Sequence, residues 1–103
     1  MNTQNDLTRR DLVKLSAQNQ NPHRMIRLTG AVIENVNFDD LDLHGFLFIH
    51  CKLAGSTFRN TILRNASFEG ADVTDCDFTD AVGLTRDTFL HATSDRAIHN
   101  TTI

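Results

Sequence analysis

The sequence predicts an all-β solenoid: a square coil of about three laps, twenty residues to the lap, with an α-helix closing its first end. Three observations carry that prediction. Large apolar residues recur at every fifth position through the middle of the chain. Their identity alternates between Phe and aliphatic residues. A capped helical pattern precedes the first repeat.

The series at every fifth position reads Leu28, Ile33, Phe38, Leu43, Phe48, Leu53, Phe58, Leu63, Phe68, Val73 and Phe78. At a hydrophobic content of 40 %, chance gives such an unbroken run on the order of 10⁻⁴ of the time, counted against a fixed template. A helix wants apolar residues three and four apart, and a strand wants every second one, so neither template fits. A second series stands two residues earlier: Ala31, Val36, Leu41, Phe46, Cys51, Ser56, Thr61, Ala66, Ala71, Cys76 and Ala81, most of them small. Residues two apart on an extended segment share a side. Each unit therefore sends one large and one small side chain inward, and the places between are mostly polar.

The order of the large residues favours four sides. With twenty residues to the lap, Phe38, Phe58 and Phe78 stack on one wall and Phe48 and Phe68 on the opposite one. Leu43 and Leu63 line the third wall, and Ile33, Leu53 and Val73 the fourth. A three-sided lap would mix Phe with Leu in every column. Gly83 occupies the next large place, and Leu84 and Phe89 resume the spacing one residue late. A glycine absorbs such an insertion by taking a positive φ. Ser94 and His99 are polar, so the pattern is expected to stop after Phe89.

The stretches Ala66-Ser67-Phe68-Glu69-Gly70 and Ala71-Asp72-Val73-Thr74-Asp75 resemble the A(D/N)LXX units of pentapeptide-repeat proteins, and the resemblance covers roughly residues 26–90. It implies a right-handed quadrilateral parallel β-helix with four pentapeptides per coil. It also implies a bacterial or phage protein of the cytoplasm.

On this reading residues 1–25 are an N-terminal segment with a capping helix, 26–90 the repeat body and 91–103 a C-terminal tail. The helix is expected over residues 8–18, with Thr8 as N-cap, Asp11 at the third helical position and Leu7 packed on Leu12. Leu12, Val13, Leu15 and Ala17 supply its apolar side, Asn19-Gln20-Asn21-Pro22 ends it, and Arg9, Arg10 and Lys14 are expected to face away from the coil. The tail carries no strong pattern and is expected to make a short turn or helix over the last coil. Left uncovered, that end would be a self-association surface, as the resemblance implies for family members that dimerise through an end.

Composition excludes several classes. At 103 residues and a net charge of −3, the chain fits one small domain without general attraction to nucleic acid or membrane surfaces. No apolar run reaches the ~18 residues of a membrane helix. The polar start Met1-Asn2-Thr3-Gln4-Asn5-Asp6 is not followed by the apolar core of a secretory signal, and two cysteines do not make a disulfide framework. A cytoplasmic setting is therefore expected. No cofactor, metal or catalytic residue is expected either. His23, His44, His50, His91 and His99 lack metal-ligand spacing, with His44 and His50 pointing outward, and no phosphate loop or nucleophile elbow is present. Cys51 and Cys76 read as buried thiols. The hexapeptide-repeat acyltransferases have a period of six, which this chain lacks.

Two surfaces stand out. Residues 31–83 hold nine acids against three basic residues, a net −6, and Asp39, Asp40, Asp77 and Asp80 fall on one wall, with Arg59 between them. Resemblance to the quinolone-resistance members implies an acidic mimic of duplex DNA, occupying the groove of a topoisomerase, nuclease or similar enzyme. The second surface is Phe46-Leu47-Phe48-Ile49. Here Phe48 points inward, Phe46 fills a usually small place, and Leu47 and Ile49 point out, a pattern that often marks an interface. The leading expectation is a non-enzymatic protein-binding or inhibitor module using Phe46, Leu47 and Ile49, an open coil end, or both. Its partner is a protein or a second copy of the chain, with no direct nucleic-acid binding and no membrane. The DNA mimic is the alternative.

Overall fold

The computed structural model describes residues 4–100. Its organising feature is parallel pairing at a constant offset. Strands β1 (Ile26–Arg27) and β2 (Phe46–Leu47) pair Ile26 with Phe46 and Arg27 with Leu47. Single parallel bridges then join Val32 to Lys52, Asn37 to Thr57, Asp42 to Ile62, Leu47 to Ser67, Lys52 to Asp72, Thr57 to Asp77 and Ile62 to Val82. Every partner stands twenty residues further along, so the chain winds in twenty-residue laps.

Regular strand is nonetheless confined to those two short elements among the described residues. The reason lies at the corners. Two residues after each large inward residue the backbone turns left-handed. Gly30, Asn35, Asp40, Gly45, His50, Gly55, Asn60, Asn65, Gly70, Asp75 and Asp80 all have φ between 55° and 75°. Such a corner interrupts the extended chain every five residues and leaves room for only one or two ladder positions per side. Its residues are Gly, Asn, Asp or His, the types that tolerate this region. The N–H of Val36 goes to Ser56 Oγ at 3.1 Å, but after most corners the N–H bonds back to the large residue, as in Ala66 to Leu63 and Ala71 to Phe68, both at 3.0 Å. That is a type II turn, which needs positive φ at its third residue.

The remaining backbone groups are accounted for in turn. The N–H groups of the large residue and of the corner reach the next lap, as in Phe58 to Asp77 at 2.7 Å and Asn60 to Thr79 at 3.0 Å. The N–H of the residue before the large one reaches the previous lap, as in Thr57 to Val36 at 3.0 Å. One N–H is left per unit, on the residue after the large one. A side chain two places earlier takes it: Asn37 for Asp39, Asp42 for His44, Ser67 for Glu69, Asp72 for Thr74 and Asp77 for Thr79. This gives Asp and Asn before the large residue a physical purpose.

Inside, the large residues form the four expected columns, and Ile33, Phe38, Leu43, Phe48, Leu53, Phe58, Leu63, Phe68 and Val73 are fully buried. Phe58 and Phe78 stack at 5.0 Å with planes 10° apart, and Phe48 and Phe68 stack at 4.9 Å and 7°. The two stacks interlock edge to face, with Phe58 meeting Phe68 at 5.4 Å and 82°. Both geometries suit the ring quadrupole. At the small inward places Ser56 donates to Ile33 O at 2.8 Å and Thr61 to Phe58 O at 2.7 Å, so polar residues sit there without an unmet bond.

The register changes once. Gly83 has φ 91°, and a Cβ there would stand 2.8 Å from the backbone of Arg64. Beyond it the bridges join Asp72 to Thr93 and Asp77 to Ile98, an offset of one more residue. A 3₁₀ turn, Arg86–Phe89, lies in between. Winding thus runs past residue 90. Ser94 and His99, expected to end the pattern, instead take the inward places of a last lap. Both are polar and exposed, unlike the inward residues of the laps before them.

At the other end lies helix α1 (Arg9–Gln18), with Thr8 as N-cap and a reciprocal capping box to Asp11. Leu12 is fully buried and Leu15 packs on the core. Val13 and Ala17, expected on the same side, are exposed, because the contact is a narrow stripe rather than a whole face. The corner geometry makes Asn60 a sensitive position. Asn60→Val should destabilise by about 1–2 kcal/mol, the usual cost of a left-handed backbone for a residue with a branched Cβ, while Asn60→Gly should be near neutral, both read by denaturant unfolding. Equal stability of the two variants would contradict the geometry.

Candidate interaction surfaces

The two ends of the coil are treated differently. In the ladder, the carbonyls before and after each large residue accept from the preceding lap. The first lap has none, and on three of its sides the N-terminal segment supplies the donors. Asp6 N–H bonds Val32 O at 2.8 Å and the Asn5 amide bonds Glu34 O at 2.9 Å. Their side-chain oxygens accept the N–H groups of Val32 and Glu34 at 2.8 and 2.9 Å. Arg9 Nη1 takes Asn37 O and Asp39 O, both at 3.0 Å. Arg24 takes Asp42 O through Nη2 at 2.7 Å and His44 O through Nε at 2.8 Å.

Arg24 is only 4 % exposed, and its Nη1 also holds Ser16 O and Asn19 O at the end of α1, at 2.7 and 2.6 Å. One planar fork thus binds helix and coil together. Beside it, His44 turns back on the surface rather than outward. Its Nδ1 lies 2.7 Å from the Asp42 carboxylate and its Nε2 3.0 Å from Asn21 O. Burial pushes the Asp42 carboxyl up, and the bonds from His44 with the charge of Arg24 more than offset that, leaving it below its usual range.

This sealed end corrects two expectations. Arg9, though exposed, does not face away from the coil, because a bare carbonyl pair draws its guanidinium onto Asn37 O and Asp39 O. Phe46 cannot form part of an outer interface. It is fully buried, stacked at 5.9 Å on Phe48 and covered by Arg24, whose guanidinium carbon is 5.1 Å from the ring centre. The large ring fills the space above Ala66 under the cap.

The structure gives most of the acidic wall internal work. Asp39 accepts the N–H of Arg59 at 2.8 Å, and Asp77 accepts Thr79 Oγ1 at 2.5 Å and Arg59 Nε at 2.7 Å. The Thr79 hydroxyl, and after it Arg59, hold the Asp77 carboxyl below its usual range. Asp80 exchanges bonds with Asn100, and Asp75, on a neighbouring corner, grips Arg96, so the last lap is clamped to the one before. Of the four wall carboxylates only Asp40, an exposed corner, has no polar partner among the described residues.

Leu47 and Ile49 are half-buried and stand outside the core cluster, on the wall that also carries Leu90, 45 % exposed. Sequence reasoning missed a second apolar pair, Ile62 over Val82, beside a shallow groove of about 280 Å³ lined by Gln20, Pro22, Asp42, His44, Ile62, Arg64 and Asn65. It also missed Asn5, Asp6, Arg9 and Arg24, since isolated polar residues before a repeat carry no periodic signal.

Among the described residues the C-terminal end is uncovered. Phe78, Phe89, Ser94, Ala97 and His99 line a cavity of about 250 Å³ there. On its rim the N–H groups of His91, Ser94 and Arg96 and the carbonyls of Ala92 and Ala97 have no partner among the described residues.

Neither cysteine contributes chemistry to these surfaces. Both are free and buried, and each thiol points at a carbonyl of the preceding lap, Cys51 at Leu28 and Cys76 at Leu53. Burial pushes the Cys76 thiol up to about 12, far from the thiolate that reacts. A disulfide reagent should therefore modify Cys76 no faster than the protein unfolds. Rapid labelling of the folded chain would contradict the packing.

No group of His, Cys, Asp and Glu among the described residues is arranged to hold a metal ion, and no described helix is long and apolar enough to cross a membrane. No curated protein matches the chain. The family described as Pentapeptide repeats (8 copies) matches residues 47–80, the part of the coil where the inward columns are most regular. Such repeats imply a β-helix, in keeping with the twenty-residue pairing. Over residues 47–80, about a third of the chain, the sequence is similar to the pentapeptide-repeat family.

Proposed function

We propose that the chain is a non-catalytic protein-binding module of the cytoplasm, built as a right-handed quadrilateral β-helix, and that it binds through its open C-terminal end. The supporting observation is the contrast between the ends. One edge has its carbonyls closed on three sides by the N-terminal segment, while the other keeps free N–H groups at His91, Ser94 and Arg96 around an apolar-floored cavity. Unpaired sheet edges are pairing sites unless they are blocked. A body held by ladders on every side loses little conformational entropy on docking. The Leu47/Ile49 wall is the second candidate surface, with Leu90 extending it. Acidic DNA mimicry draws less support, since Asp39, Asp77 and Asp80 are engaged internally and Arg9 and Arg59 lie among them.

Ala97→Arg places a charged side chain across the open cavity from a half-buried place that packs on the core, so its thermal unfolding is first matched to the parent's. Affinity capture by the parent, the Ala97→Arg variant and a Leu47→Asp/Ile49→Asp double variant, with quantitative mass spectrometry and a second copy counted as a partner, tests the reading. The parent and the double variant should share their main partner, and Ala97→Arg should lose it by about tenfold or more, about 1.4 kcal/mol. Retention by Ala97→Arg with loss in the double variant would move the function to the wall.

A further inference from the structure

The two edges of the coil are complementary to each other. Within the ladder, the N–H groups of a large place and the corner after it meet the carbonyls one before and one after the large residue of the next lap. Ser94 and Arg96 offer such a donor pair, left free at the last lap. The first lap offers the matching carbonyl pairs: Val32 with Glu34, Asn37 with Asp39, and Asp42 with His44. The reverse bond is matched as well. The free carbonyls of Ala92 and Ala97 correspond to those that accept the N–H at the place of Val32, which in the folded chain is held by the Asp6 carboxylate.

We propose that the partner that best fits the open C-terminal end is the first lap of a second copy of this chain, and that the N-terminal segment is the stop that prevents this head-to-tail stacking. The inference rests on the open end being a docking surface. Each blocking group imitates one missing lap. Asn5 and Asp6 reproduce both its donors and its acceptors on one side. Arg9 and Arg24 reproduce its donor pairs on the next two sides with single guanidinium forks. An interface joining unlike ends repeats without closing and yields linear chains. A displaced stop therefore leads to rods, not to a dimer.

The test uses the full chain with Asn5→Ala, Asp6→Pro and Arg9→Ala together, which removes the mimicry on two sides while leaving Leu12 and Arg24 in place. A second variant, Leu12→Glu, releases α1 from the core by burying a charge beneath it. Sedimentation velocity over a wide concentration range is read beside amide exchange at Ser94 and Arg96. Either folded variant should grow past the dimer with concentration, and the two amides should slow by about tenfold or more as they become bonded. Adding Ala97→Arg should abolish the growth. Folded variants that stay monomeric, stop at a dimer, or assemble with Ser94 and Arg96 still exchanging at the parent rate would overturn the inference. If they stay monomeric while Ala97→Arg still loses its partner, the inference falls and the proposed function stands.

Discussion

The structure depends on a single constraint: every five residues the backbone must turn a left-handed corner without abandoning a hydrogen bond. The corner residues pass through a region costly to most side chains, and Gly, Asn, Asp and His stand there, with Arg96 the exception in the last described lap. The turn bond, the bonds to neighbouring laps and the side-chain bond from Asp or Asn then account for the N–H groups of a complete unit. Once corners and bonds are fixed, the large residue of each unit has only one direction to point, and the phenylalanine columns follow. Ring packing rewards this arrangement, and the corners impose it.

Much of that was legible in the sequence, and the legible part is the periodic part. The five-residue spacing located Phe38, Phe58 and Phe78 in one column, and the rings stack there at 5.0 Å. The slip at Gly83 was visible as a shift in spacing and appears as a change of offset. Corners could have been read the same way, since Gly, Asn, Asp or His stands two places after every large residue from Leu28 to Phe78. At the ends, the capping helix with Thr8, Asp11 and Leu12 was legible and the rest was not. Ser94 and His99 keep their places in the winding but are polar and exposed, so they carry none of the hydrophobic signal that marked the earlier laps. Arg24 looks like any polar residue until four carbonyls converge on it. Phe46 stood out as too large for its inward place, and what accommodates it is the cover supplied by that same distant arginine.

Charge shows the same economy. The carboxylates that make the body acidic mostly hold backbone N–H groups, clamp one lap to the next, or pair with Arg59 and Arg96. A count of acids along the sequence therefore overstates the field available to an outside partner. What remains for recognition is geometric: an end with free donors above an apolar floor, and a wall where Leu47, Ile49 and Leu90 replace the usual polar residues.

The claim that the lap is the structural unit has a direct test in two deletions compared by cooperative thermal unfolding. Removing residues 56–75 takes out one whole lap and leaves every inward column chemically uniform, with Gly55 joined to Cys76 in the same place of the repeat. Removing residues 56–60 takes out one side and sets Leu63 beneath Phe38, mixing ring and aliphatic residues in every later column. The account predicts that the longer deletion keeps a sharp unfolding transition and the shorter one loses it. A chain that tolerates the short deletion as well as the long one would show that the twenty-residue lap does not govern the fold.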